Sequence, residues 1–183
     1  MRLIKAVLAG ATGLFVIITL FSLLIPSNVR VSRAVIINNS SVGEVYPQIM
    51  PFKNWKNWHP IFTTDSVSLS ANPPEITGND SGCIIRHRGK EVRIRLISAD
   101  SSSVKFLMQA SGENDIENDI VITALPVQQA VQVEWRSITR LHWYPWEKFY
   151  GIFIDKLSGP GYEAALNGLR DYIESPRSPK GGT

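Results

Sequence analysis

The chain reads as an α+β protein: one N-terminal helix able to span a membrane, then a curved antiparallel sheet of about seven strands wrapped on a long C-terminal helix. Three observations predict this. Residues 6–25, "AVLAGATGLFVIITLFSLLI", carry no charge. The middle of the chain alternates apolar and polar residues with period two between turn signals, and the C-terminal third changes to an apolar stripe at helical spacing. At 183 residues with 44% hydrophobic and 19% charged content, the chain has room for one domain with a substantial core and no second full domain.

The apolar N-terminal run of about twenty residues, at 1.5 Å each, matches the roughly 30 Å hydrocarbon core of a bilayer. A cleavable signal peptide would have a shorter apolar region ending at a small-residue site, and "LLIPSNVRVSR" offers none. The domain boundaries are therefore read as a tail at 1–5, a transmembrane anchor at 6–25, a linker at 26–30, a folded domain at 31–175 and a turn-rich tail at 176–183. Arg2, Lys5 and the amino terminus slightly outweigh Arg30 and Arg33 across the anchor. The positive-inside rule then expects an inner-membrane protein with its soluble domain on the periplasmic side. Small residues Ala6, Gly10 and Gly13 are common in such segments and define no oligomeric state.

Past the linker, "VRVSRAVIIN" (residues 29–38) is a β-branched first strand. "SVGE" (41–44) fits a capping box that starts a short helix running to about Met50. Pro51 breaks it, and "FKNWKNW" makes a second helical piece with Phe52, Trp55 and Trp58 on one face, ended by Pro60. His59, before that proline, is expected to be a surface or capping residue.

From about Thr63 to Arg140, "NPP", "GNDSG", "RGKE", "ADSSS" and "LPVQQ" punctuate roughly six strands of a meander. Cys83, Ile85 and His87 share one strand face; Val92, Ile94 and Leu96 follow, then Val104, Phe106 and Met108, then Ile120 and Ile122, then Val131, Val133 and Trp135. Arg86, Arg88, Lys90, Arg93 and Arg95 point the other way, as a sheet with one wet face requires. Residues 146–174 read as the covering helix, with Phe149, Phe153 and Leu157 and then Tyr162, Leu166, Leu169 and Ile173 as its apolar stripe. "SGPG" (158–161) is expected to kink or restart it.

Several function classes are excluded or left without support. Beyond Arg2 and Lys5 the charges balance at 17 basic against 16 acidic, so a pI near 9.1 marks no nucleic-acid-binding face. The single cysteine allows no internal disulfide and reads as a small buried residue. His59, His87 and His142 form no metal-ligand pair, and no nucleophile elbow, phosphate loop or dinucleotide fingerprint occurs, so no metal or cofactor is expected. The tandem "ENDIENDI" (113–120) spaces its acids at alternating positions entering a strand rather than around a cation.

The order strand, two short helices, meander and long closing helix resembles the helix-grip fold of the START-related SRPBCC superfamily, the polyketide cyclase and lipid transport group. Among its members the chain is most similar to membrane-anchored bacterial ones. "VSRAVIINNSSVGEVYPQI", "FKNWKNWHP" and "FIDKLSGPGYEAALNGLRDYIE" carry the resemblance, which spans about Val29 to Glu174; the middle strands match in pattern alone. The resemblance implies a module that binds an apolar small molecule or lipid between sheet and helix without chemistry. Ile94, Leu96, Phe106, Met108, Val133, Trp135, Phe149 and Phe153 would line the space, with Trp55 and Trp58 at its rim and His87 as a polar handle. Two alternatives accompany it: a cyclase- or hydratase-like enzyme using His87 as its acid–base group, and a filled-core periplasmic interaction domain.

Overall fold

The computed structural model describes residues 2–63, 74–87 and 89–175, the side chain of His87 excepted. Helix α1 spans Arg2–Ser22, starting and ending a few residues before the expected anchor, and its residues are exposed except the half-buried Thr19 and the buried Ser22. It is long and apolar enough to cross a membrane. Its hydroxyls suit that setting, because Thr12 and Thr19 donate back to the carbonyls of Leu8 and Phe15 at 2.9 and 2.8 Å.

A short turn leads into β1 (Asn28–Asn38), then α2 (Val42–Ile49), a 3₁₀ turn (Phe52–Asn57) and the four-residue α3 (Pro60–Thr63). Strands β2 (Glu75–Asn79), β3 (Gly82–His87), β4 (Lys90–Ala99), β5 (Ser103–Ala110), β6 (Ile116–Leu125) and β7 (Ala130–Arg140) follow, and α4 (Pro145–Gly151) and α5 (Ile154–Glu174) end the described chain. The expected capping box between Ser41 and Glu44 is present, and the Glu44 carboxylate accepts from the Ser41 N–H at 2.9 Å. Pro60 does not end a helix but opens α3 at a first-turn position, where its missing N–H costs nothing.

The seven strands form one antiparallel sheet in the order β1-β7-β6-β5-β4-β3-β2. The meander is thus closed by the first strand pairing with the last, over eleven residues from Asn28 opposite Arg140 to Asn38 opposite Ala130. Inward residues alternate as expected: Val35 and Ile37, Ile94, Val104 and Phe106, Ile120 and Ile122, and Val131, Val133 and Trp135 are buried. Arg86 and Arg93 stand on the wet face and share Glu91, at 3.2 and 3.7 Å. The expected "NPP" turn and the start of the meander lie partly outside the described residues, as do Arg88 and the tail at 176–183.

The closing helix departs from expectation. Its interruption falls at Ile152 and Phe153, where the bonds tighten to three-residue spacing (Ile152 N–H to Phe149 O, Phe153 N–H to Tyr150 O), and α5 runs unbroken through "SGPG". Helix α5 packs on β1 and β7 on both sides of Pro160, through Ile154 before it and Ala165, Leu166 and Leu169 after it, so tertiary burial outweighs the local proline penalty. Gly159 acts there as a contact residue: a Cβ would meet the Arg33 guanidinium, which passes over it to grip Asp155 with bonds of 3.0 and 3.2 Å.

Candidate functional site

The concave side of the sheet is filled by an aromatic cluster. Phe52, Trp55 and Trp58 recur every three residues along a 3₁₀ turn, whose three-residue period stacks such side chains on one face, and all three are turned inward. Trp55 meets Trp135 at 5.4 Å and Phe106 at 5.6 Å, Phe52 meets Phe106 at 5.4 Å, and Trp135 meets Tyr162 at 5.2 Å, all edge-to-face. Every indole N–H in the cluster is spent within the protein. Trp55 donates to Ile49 O at 2.9 Å, Trp58 to Gln48 O at 2.8 Å and Trp135 to Asn118 Oδ1 at 2.9 Å. Helix α5 comes so close that a Cβ at Gly168 would sit 2.4 Å from the Trp58 carbonyl oxygen, and only glycine fits.

This packing bears on the residues expected to line a ligand space. Trp55, Trp58, Ile94, Phe106, Val133 and Trp135 are no more than 2% exposed. The walls of a chamber wide enough for a water molecule would keep accessible surface, so these six are core. Trp55 and Trp58 are therefore interior residues rather than a rim. Leu96 and Met108 are half-buried and pack against the same core, as do Ile61, Phe62 and Ile76. Phe149 and Phe153, expected inside, are 39% and 53% exposed, and Leu157 stands out with them. Their place is taken by Pro145, Lys148, Gly151 and Ile154, which are buried at a spacing of three. The backbone of His87 pairs with Lys90 at the end of β3, and its side chain lies outside the described structure.

The titratable groups near the core are structural. His59 is half-buried, stacked on Trp55 with ring planes 4° apart, and its Nδ1 accepts from the Ile61 N–H at 3.3 Å, which makes it the cap of α3. Burial pushes its pKa down to about 4. The surface alternative for His59 is thus replaced by the capping one. Burial likewise pushes the Cys83 thiol up to about 11, which keeps it a neutral apolar residue. Among the described residues no three His, Cys, Asp or Glu side chains gather as a metal site. In the "ENDI" repeat, Glu117 and Glu113 pair outward with Arg140 and Lys90, while the buried Asn118 turns inward to Trp135. Asn118 was missed by pattern reading because a polar residue in an acidic run signals solvent.

A second aromatic group surrounds α4 on the outside. Lys148, 4% exposed, reaches past the base of α4 to donate to Ile25 O at 3.0 Å and Ser27 Oγ at 2.5 Å, at the C-terminal end of α1. Glu147 holds the preceding loop. It accepts from the His142 N–H at 2.9 Å and from the Asn114 amide; burial works to raise its pKa, but these bonds and His142 outweigh that and lower it. Nothing in the spacing marks Lys148 as buried except its place three residues from Pro145 and Gly151.

No protein-family model matches the chain, and no curated protein matches it. Solved structures do. A START superfamily protein from Mycobacterium smegmatis superposes with a TM-score of 0.58 at 15% identity, over 80% of this chain and 97% of that one. The protein XoxI from Bacillus cereus gives 0.59 at 14%, over 80% and 96%, and an uncharacterized protein from Bacillus thuringiensis gives 0.57 at 14%, over 79% and 98%. These likenesses establish a START-like helix-grip fold and nothing finer.

Proposed function

We propose that this chain is a single-pass bacterial inner-membrane protein whose START-like domain, on the periplasmic side, has a structural interior and acts through its outer surface as an interaction module. The observation that supports the reading is the near-zero exposure of Trp55, Trp58, Ile94, Phe106, Val133 and Trp135, which makes these six, among the described residues, packed core rather than walls of a ligand space. Orientation rests on the excess of Arg2, Lys5 and the amino terminus over Arg30 and Arg33.

A second reading, a carrier of an apolar small molecule or lipid, is favoured by the half-buried Ile61, Phe62, Ile76, Leu96 and Met108, which offer apolar surface continuous with the core. Native mass spectrometry of the full chain, released from detergent micelles after incubation with a bacterial lipid extract, separates the two. The filled-core reading expects a bare protein mass. A reproducible adduct that survives detergent removal and is lost in Met108→Trp would overturn it in favour of the carrier.

A further inference from the structure

Helix α4 and the start of α5 carry their apolar residues on the outside. Trp146, Phe149, Tyr150, Phe153 and Leu157 follow the i, i+3, i+4, i+7 spacing of one helix face, and that face is exposed. The opposite face, turned to the protein, holds Pro145, Lys148, Gly151 and Ile154. Scattered exposed apolar residues are ordinary on any surface, but among the described residues beyond residue 25 eight of the twelve large exposed ones fall between residues 143 and 157. Trp143 and Trp146 are 62% and 65% exposed.

The position of this face identifies its partner. Lys148 fastens α4 to the carbonyl of Ile25 and the hydroxyl of Ser27, where α1 leaves its membrane-spanning stretch. Five residues separate α1 from β1, a reach of at most about 17 Å, so this part of the domain stays beside the bilayer surface. Tryptophan and tyrosine suit that layer because each ring has an apolar body and a polar tip. Leu23 and Leu24, exposed at the end of α1, continue the apolar surface toward the hydrocarbon.

We infer that the outer face of α4 and the first turn of α5, centred on Trp143, Trp146, Phe149, Tyr150 and Phe153, is a bilayer-docking surface that lays the domain on the lipid headgroup layer. The inference rests on the reading of α1 as a membrane anchor. The partner is the lipid interface itself, continuous with the anchor.

The test uses the full chain in phosphatidylcholine vesicles whose acyl chains are brominated near the headgroup. Helix α1 contains no tryptophan, and Trp55, Trp58 and Trp135 are buried, so quenching reports Trp143 and Trp146. We expect tryptophan emission to be quenched, and the quenched fraction to fall at least about threefold in the double variant Trp143→Phe with Trp146→Phe. Protein that floats with the vesicles and resists alkaline extraction, yet shows no quenching, overturns the docking surface and leaves the anchor standing. Quenching unchanged in the double variant also overturns the docking surface. Protein that fails to float overturns the anchor and the docking surface together.

Discussion

Two aromatic groups in this molecule are built from the same residue types and have opposite fates. Phe52, Trp55 and Trp58 pack inside against Phe106 and Trp135, whereas Trp143, Trp146, Phe149 and Phe153 stand in solvent. Both recur at three- or four-residue spacing. The difference lies in their surroundings. The inner group faces a β-branched sheet surface and finds backbone and amide acceptors for its indole N–H groups. The outer group has behind it a lysine committed to the exit of α1, and that lysine occupies the inward position. An amphipathic stripe therefore states that a helix has a preferred solvent on one side, and the solvent can be lipid as readily as core.

The comparison breaks first at Trp58. Replacing it with alanine should cost roughly 4 kcal/mol in denaturant unfolding of the full chain in micelles, through lost burial and the cavity left by the indole. A loss under about 1 kcal/mol would show that the inner cluster is loosely packed. Next comes acid. His59 is held neutral in the folded state, with a pKa near 4 against about 6.5 unfolded, so the unfolded chain binds more protons between those values. Stability should fall by about 2 kcal/mol as pH drops from 6.5 to 4, and His59→Gln should flatten that slope. Glu134, held near 2 by bonds from Arg136 and Ser32, acts only below its ordinary range, so the decline above pH 5 isolates the histidine.

Smaller effects sharpen the outer half. Lys148→Met leaves Ile25 O and Ser27 Oγ without their donor and should cost about 1–2 kcal/mol by the same unfolding measurement. Trp146→Ala should change stability by less than about 0.5 kcal/mol, an order of magnitude below Trp58→Ala. Equal losses at Trp58 and Trp146 would erase the distinction between the groups.

Most of the fold could be read from period and punctuation. Strand parity placed Ile94, Phe106, Val133 and Trp135 inward because the pleat leaves no other choice once one face is covered. The closing helix was read correctly from Tyr162 to Ile173 and inverted from Phe149 to Leu157. Hydrophobic periodicity finds a stripe but carries no sign, and residues 149–157 begin inside the short helix α4, whose inward position is taken by Lys148 bonded to Ile25 O and Ser27 Oγ. The helix break was sought at Pro160 because local propensity was weighed without the sheet beneath α5, whose burial of Ile154, Ala165 and Leu166 holds the helix through it. Whether the core was filled could not be read at all, since the same large residues line a chamber or close it, depending on rotamer and distance.

The pairing of β1 with β7 has a mechanical consequence. Helix α1 enters the domain through an edge strand, so tension applied through α1 arrives at Asn28 and runs along β1. A pull along that axis loads all eleven rungs of the ladder in shear at once, where a pull across it would open them one by one. The Lys148 clasp lies ahead of the first rung and takes the strain before the sheet does. The domain is thus joined to α1 by a lap joint with a latch in front of it.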